Sequence, residues 1–552
     1  GLWHRTFGAD SKVIGRVIRL DAENYTVIGV MPEGFTFPLG TEEVDAWTPL
    51  TLAGDSSFAE QRGAHYLTGV GRLAPHATTD EVSAQLKAIA ARLSLQFPGM
   101  NHERTANVMD LHENLVGSSQ HALSVLAGAV ACLLLIACAN VANLMLARAT
   151  LRAKEVAVRT AIGASRSSIL RQVLTESIIL AVMGGIAGLL LAAWGADLLL
   201  AIAPRALPRI HEIGLDWRVV GFTALVAIVT GLVFGIAPAL QLSGAELNDT
   251  LKEGGRSVTG AGHANRTRAS LVIAEVALSL ILLTGAGLLS ATLLRLQHQN
   301  PGFDATDVIT TRLSLSDATY KTSAQQAAFY DQLIEKVRAI PGVETVGAVS
   351  TIPLSRERMI IGFSTAEEPR GDGIAPAHGE ELDVTSPDFF ASMRIPVKTG
   401  RVFTAQDDSA APLVMIVNEA FAKKYWPGQN PLGQRLSAGY DTDSLRTVIG
   451  VVGNVRHDDL GTEAAPAMYL PYRQAGYNTM ALTIRARGNA TNVPDALRRA
   501  VSSLDPDQAL GTVRSMESVM SESLSRQRFS ASLLGIFAMI ALALSAVGIF
   551  GV

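Results

Sequence analysis

The chain has 552 residues, too many for one ordinary domain, with 48% apolar and 17% charged residues and a formal net charge of −4. The small negative charge implies no polyanion partner, and the apolar excess is gathered into a few long runs rather than spread along the chain. The two cysteines, Cys132 and Cys138, share one run and face different sides of a helix, so no disulfide framework staples the soluble parts.

In chain order, residues 1–118 read as soluble α+β sequence. An alternating stretch from His65 to Leu73 predicts a strand, and the pattern from Thr79 to Leu95 predicts a helix. An uncharged run at 122–147 follows, long enough to cross a bilayer, which takes roughly 20 apolar residues. Further spans are expected at 174–203, 219–243, 269–294 and 527–552, with Asp197 near the end of the second and Glu275 two turns into the fourth. Between the last two, residues 295–526 read as a second α+β region, including a helix from Ser323 to Ala339 that stops at Pro341-Gly342. Gly1 and Val552 both read as cut ends, the latter inside an apolar run.

Small residues recur every four positions in two spans: Gly184, Gly188, Ala192 and Ala196, then Ala227, Gly231, Gly235 and Ala239. That spacing lets helix backbones approach closely in lipid, so helix packing is expected at Gly184, Gly188, Gly231 and Gly235. Orientation follows from Arg148, Arg152, Lys154, Arg159, Arg166 and Arg171, which place the segment 148–170 in the cytoplasm. The linker 246–268 returns inside, and both α+β regions face outward. Trp194 and Trp217 then sit at the outer interface. Glu275 lies close to the cytoplasmic end of its span, which favours an interfacial or helix-pairing role over a proton relay.

An internal repeat organises the whole. Phe7-Gly8, Gly15-Arg16, Thr26-Val27-Ile28-Gly29-Val30 and Trp47-Thr48-Pro49-Leu50 return in order as Pro427-Gly428, Gly433-Gln434-Arg435, Thr447-Val448-Ile449-Gly450-Val451 and Tyr469-Leu470-Pro471-Tyr472. The offsets run only from 418 to 422 residues. The chain is therefore expected to be two rounds of one plan, a soluble domain followed by membrane spans, with 1–118 the later part of the first domain.

The basic segment carries a helical face, Leu151, Val158 and Ile162, with Glu155 and Arg159 paired four apart in acid-first order. Gly163 is placed to stop this short amphipathic helix and Ser165 to cap the next, so the two are expected to hinge there. From physical pattern alone, a headgroup-lying loop and a docking helix for a cytoplasmic partner are equally supported.

The run Glu155 to Ser165, with Ala139-Asn140-Val141-Ala142-Asn143-Leu144-Met145-Leu146-Ala147-Arg148 before it, resembles FtsX-like permeases. The stretch from Trp3 to Pro38, with Ile28-Gly29-Val30-Met31-Pro32, is similar to the MacB-like periplasmic core domain, and the double length is similar to the acidobacterial duplicated orphan permeases. The resemblance implies an α-helical membrane protein of the bacterial inner membrane with two extracytoplasmic α+β core domains. It implies that the hairpin is a coupling helix set against a cytoplasmic ABC ATPase dimer, through Glu155, Arg159, Gly163, Ala164 and Ser165. Export or extraction of substrates would follow, with periplasmic or outer-membrane components as further partners. The chain has no G-x-x-x-x-G-K-[ST] loop and no H-E-x-x-H, so it is expected to be no enzyme, to hold no cofactor or metal, and to take ATP's energy from the partner subunit. A secondary transporter would want ionisable midplane sites, and only Glu275 and Asp197 are on offer. A non-transporting scaffold that controls an outer partner is the alternative reading.

Overall fold

The structure is a computed structural model that describes all residues except 21–22, 34, 36, 38–43, 50–66, 98–104, 163–165, 203–215, 245–258, 370–375, 377, 439–443, 489–491 and 551–552. It divides into two compact units, Gly1–Asn114 with Leu296–Leu524, and Leu115–Arg295 with Ser525–Val552. The chain opens with a short helix α1 (Leu2–Phe7), an antiparallel hairpin of β1 (Val17–Leu20) and β2 (Glu23–Thr26), and helix α2 (Thr79–Gln96). A capping box between Thr78 and Glu81 starts α2 where the sequence predicts it.

Four long helices follow: α3 (Leu111–Ala161), α4 (Arg166–Ile202), α5 (Trp217–Gly244) and α6 (Thr259–Gln297). Three of them contain stretches long and apolar enough to span a membrane, Ala122–Met145, Ala181–Leu198 and Arg268–Gln297. In α5 the described apolar part is Trp217–Thr230, and most side chains beyond it lie outside the described residues. The sequence predicts a separate short amphipathic helix after the first span. Instead, span and basic segment form one unbroken helix of 51 residues. The reason is local: between Gly128 and Gly163 there is no glycine or proline to interrupt it. Part of the expected linker, 259–268, is likewise the first turns of α6, while 245–258 lies outside the described residues.

The second α+β region is built from β3 (Val308–Ser314), α7 (Ser323–Arg338), β4 (Val343–Val349), β5 (Ile360–Thr365), β6 (His378–Thr385) and α8 (Phe389–Ser392). It continues through β7 (Val397–Gly400), β8 (Val414–Asn418), α9 (Glu419–Tyr425), β9 (Arg435–Ala438), β10 (Arg446–Val452) and β11 (Ala467–Pro471). It ends with α10 (Tyr472–Ala475), β12 (Thr479–Ala486), α11 (Val493–Leu504), β13 (Arg514–Ser515) and α12 (Met516–Ser523). Helix α13 (Ser525–Phe550) follows directly and is a fourth span by length and composition.

The strands form one mixed sheet in the order β11-β8-β10-β9-β5-β6-β4-β12-β3-β13, buried on both faces. The period-2 alternation of strands divides the two cores. On one face Met480, Leu482 and Ile484 of β12 pack with Tyr330 and Leu333 of α7 and Leu497 of α11. On the other, Ala481 packs with Phe389 and Phe390. Helix α7 begins at a Thr322–Gln325 capping box and ends before Gly342, whose φ of 92° suits glycine alone among common residues.

The repeated motif folds the same way twice. Gly15 and Gly433 have φ of 87° and 86°, and their N–H groups donate to Val27 O and Val448 O at 2.8 and 2.9 Å. Val27 N and Val448 N return bonds to Arg16 O and Gln434 O, both at 2.9 Å. The strand register agrees, with Val17 opposite Thr26 and Arg435 opposite Thr447. One expectation fails. The predicted strand from His65 to Leu73 is, over its described part 67–73, extended chain without strand pairing, whereas its counterpart is β12. Strand β12 lies between β3 and β4, and among the described residues of 1–118 only β1 and β2 pair as strands, so 67–73 has no described ladder to join.

Candidate functional site: a polar cluster among three membrane helices

Within the helical unit α3, α6 and α13 share an apolar seam of Ala129 and Ile136, Leu282 and Ala286, and Leu534, Ala538 and Ala541. Alanines at the contact let the helices close up. Towards the C-terminal ends of α3 and α13 and the N-terminal end of α6 the seam turns polar. Asn140 and Asn143 come from α3, Glu275 and Ser279 from α6, and Ser545 from α13. Each pair is three or four residues apart and so shares one helix face. All five are buried, Glu275 completely, at 0% exposure.

The bonds across the seam tie α13 to both neighbours. Asn140 Nδ2 donates to Leu544 O at 2.9 Å, and the Ser279 and Ser545 hydroxyls lie 2.6 Å apart. Ser279 Oγ also reaches Ala541 O at 3.4 Å. Gly548 fills the remaining corner. A Cβ there would lie 2.6 and 2.9 Å from the two carboxyl oxygens of Glu275 and closer still to Asn140 Oδ1. Only a glycine lets α13 approach this group of oxygens. Among the described residues neither Glu275 oxygen receives a hydrogen bond from a donor, nor does Asn140 Oδ1. A polar group left unpaired in so apolar a setting costs on the order of 1–3 kcal/mol or more.

The expected coupling residues are distributed differently. Glu155 and Arg159 lie on the last turns of α3, and their side chains are outside the described set. Gly163, Ala164 and Ser165 lie outside the described residues, between the end of α3 at Ala161 and the start of α4 at Arg166. Among the expected packing glycines, Gly184 and Gly188 of α4 have nothing within 4 Å of an added Cβ among the described residues. The close approach of α4 to α5 is one residue along, where a Cβ on Gly185 would meet Ala227 Cβ at 3.6 Å. Gly231 and Gly235 sit on α5 in the stretch whose side-chain surroundings lie outside the described set. Asp197 is on the last turns of α4.

A second buried polar group lies in the second α+β region. Asp383 on β6 accepts from Ser350 Oγ at 2.9 Å and faces His457 Nε2 at 3.5 Å. Arg358 spans Glu381 at 3.3 Å and Asp458 at 3.2 Å. Burial pushes the Glu381 and Asp383 carboxyls above the ordinary carboxylate range, against the pull of His457 on both and of Arg358 on Glu381. The Tyr469 hydroxyl, also buried beside these acids, is held well above its usual value by the same burial.

The sequence reading singled out Glu275 but gave no role to Asn140, Asn143, Ser279, Ser545 or Gly548. The signal was present: each of three apolar runs carries a polar or glycine pair at helical spacing close to one end. What one run cannot reveal is that the three pairs meet.

A family model described as the MacB-like periplasmic core domain matches residues 1–89 and 267–504, together more than half of the chain, and one described as FtsX-like permease C-terminal matches 127–247. The macrolide export ATP-binding/permease protein MacB of Rhodospirillum rubrum is 34% identical over 236 residues, which is 42% of this chain and 34% of that protein. The pyoverdine export ATP-binding/permease protein PvdT of Pseudomonas syringae pv. syringae is 30% identical over 238 residues, 43% of this chain and 34% of that protein. The chain thus spans about a third of the length of these curated relatives. Among solved structures, the periplasmic region of MacB from Actinobacillus actinomycetemcomitans shares 15% identity, covering 41% of this chain and 95% of that one, with a TM-score of 0.26. The extracellular domain of the noncanonical ABC-type transporter YknZ from Gram-positive bacteria shares 18% identity, covering 37% and 99%, also with a TM-score of 0.26. Core-domain sequence is present twice, and the chain belongs to the MacB/FtsX-like family of ABC transporter permeases.

Proposed function

We propose that this chain is the membrane subunit through which a separate ATP-hydrolysing subunit drives its extracytoplasmic domains, for export or extraction of substrates across or from the inner membrane. The observation that carries the reading is the continuity of α3. Its basic end is the same rigid helix as the span that holds Asn140 in the seam, and Arg159 lies about 21 Å along the axis beyond Met145 at 1.5 Å per residue. A push on that end reaches α6 and α13 through buried hydrogen bonds and packing rather than through a flexible joint. In the chain α6 leads into β3 and α13 follows α12, so both partners of α3 are joined in sequence to the second α+β region.

In this reading Glu155, Arg159, Gly163, Ala164 and Ser165 meet a cytoplasmic ABC ATPase dimer, ATP binds that partner, and this chain holds no cofactor of its own. Nucleotide would favour one packing of the spans, and the outer domains would follow. Periplasmic or outer-membrane components are further candidate partners. The twice-present core domain favours the duplicated-permease group, in which one full-length chain supplies both halves of a pseudo-dimer.

Purification of the full-length protein from its own membrane tests this reading. An ATPase is expected to accompany it, and Arg159→Glu is expected to abolish that association. If no ATPase accompanies the wild-type protein and Arg159→Glu changes no phenotype, ATPase coupling is excluded.

A further inference from the structure

The amide of Asn140 has a fixed orientation. Its nitrogen is committed to the carbonyl of Leu544, so its oxygen must be the atom turned to the corner occupied by Glu275 and Gly548. Glu275 is fully buried there and both its oxygens face the same corner. Ionised, the carboxylate would set its acceptors against Asn140 Oδ1, with none of the three oxygens in a well-formed hydrogen bond among the described residues and the Asn140 N–H beside Glu275 taken up by Leu544 O. One proton resolves the conflict, because a neutral carboxyl carries an O–H that Asn140 Oδ1 can accept.

Among the described residues the surroundings supply no other charge to do this. On α3 there is no ionisable side chain other than the cysteines between His121 and Arg148, and the nearest, Cys138, is buried. On α13 nothing charged follows Arg528, and Ser545 and Gly548 are the residues nearest the corner. On α6 itself the nearest charge is Arg268, seven residues away and so about 10 Å along the axis. A bare carboxylate with no counter-charge inside an apolar seam is among the costliest arrangements a membrane protein can hold.

We infer that Glu275 is a proton-binding site of the membrane bundle: the packed arrangement of α3, α6 and α13 holds the neutral acid, which donates its hydrogen to Asn140 Oδ1, and loss of that proton loosens α13 from its neighbours. The proton taken up comes from water on the cytoplasmic side and returns there, and no other bond changes. The site couples bundle packing to proton activity whatever partner engages the end of α3, so it stands apart from the ATPase reading.

The test uses the full-length protein in lipid nanodiscs. Infrared spectra at neutral pH should contain the carbonyl band of a protonated carboxyl that is missing from Glu275→Gln. The melting temperature of wild type should fall as pH rises through the titration of that band. Glu275→Gln, whose amide nitrogen can donate to Asn140 Oδ1 at every pH, should lose that band-linked fall and match or exceed wild type. Glu275→Leu, which gives Asn140 no donor, should melt lower than Glu275→Gln throughout; if it fails to fold, the glutamine variant and the spectra still decide. The inference is overturned if the spectra of wild type and Glu275→Gln show no difference in this band. It is also overturned if Glu275→Gln is destabilised as much as Glu275→Leu, or if added sodium or potassium raises the wild-type melting temperature and leaves Glu275→Gln unmoved, which would assign the corner to a metal cation.

Discussion

Gly548→Ala adds a single methyl group to the tightest point of the bundle. Its Cβ would fall 2.6 and 2.9 Å from the Glu275 oxygens, inside any real carbon contact, and nearer still to Asn140 Oδ1. None of these atoms is the free end of an exposed chain, since Glu275 is fully buried and Asn140 is held by Leu544 O. The helices must therefore part. Overpacking of this kind costs about 1–3 kcal/mol. Replacing glycine by alanine within a helix returns about 1 kcal/mol. The net expectation is a destabilisation of roughly 0–2 kcal/mol. Gly535 in the same helix is the internal control. Nothing lies within 4 Å of its added Cβ, so Gly535→Ala should keep the helix gain and melt at or above wild type. The assay is thermal unfolding of the full-length protein and both variants in nanodiscs. Equal melting temperatures for Gly548→Ala and Gly535→Ala would refute the tight corner.

Two further outcomes are expected. The Ser279–Ser545 pair should show a coupling of about 0.6 kcal/mol in a double-mutant cycle of alanine substitutions, the average for such bonds inside a membrane bundle; strictly additive effects would mean the 2.6 Å contact contributes nothing. In the second α+β region, the raised carboxyls of Glu381 and Asp383 keep protons in the folded state that the unfolded chain releases, so this contribution is full at acid pH and is lost as pH rises through the folded-state values. Asp383→Asn should flatten that dependence. Hydrogen exchange of β6 followed against pH measures it, and an unchanged pH profile in the variant would count against the buried acid as its source.

Much of the fold was legible in the sequence because the signals are local. Helices α2 and α7 begin at capping boxes, and each ends within a residue of its predicted range. The repeat was legible for the same reason: the glycine with φ near 87° and the strand pair it opens are written into adjacent residues in both copies. The errors were non-local. The strand at His65 to Leu73 has the right alternation, but pairing requires neighbours that the sequence pattern cannot supply. In α4 small residues lie on several faces, and the described approach to α5, Gly185 against Ala227, is one that only the packed partner selects.

The sequence by itself determined that the chain has apolar runs of membrane-spanning length, two related α+β regions and a basic segment ending near Gly163, because length, alternation and capping act over a few residues. It also marked Glu275 as an acid in an apolar run. Only the tertiary structure decided that Asn140, Glu275, Ser279, Ser545 and Gly548 share one corner. Those residues are separated by as many as 408 positions. What joins them is the packing of three helices, where removing water from a carboxyl and an amide makes their pairing a matter of a single proton.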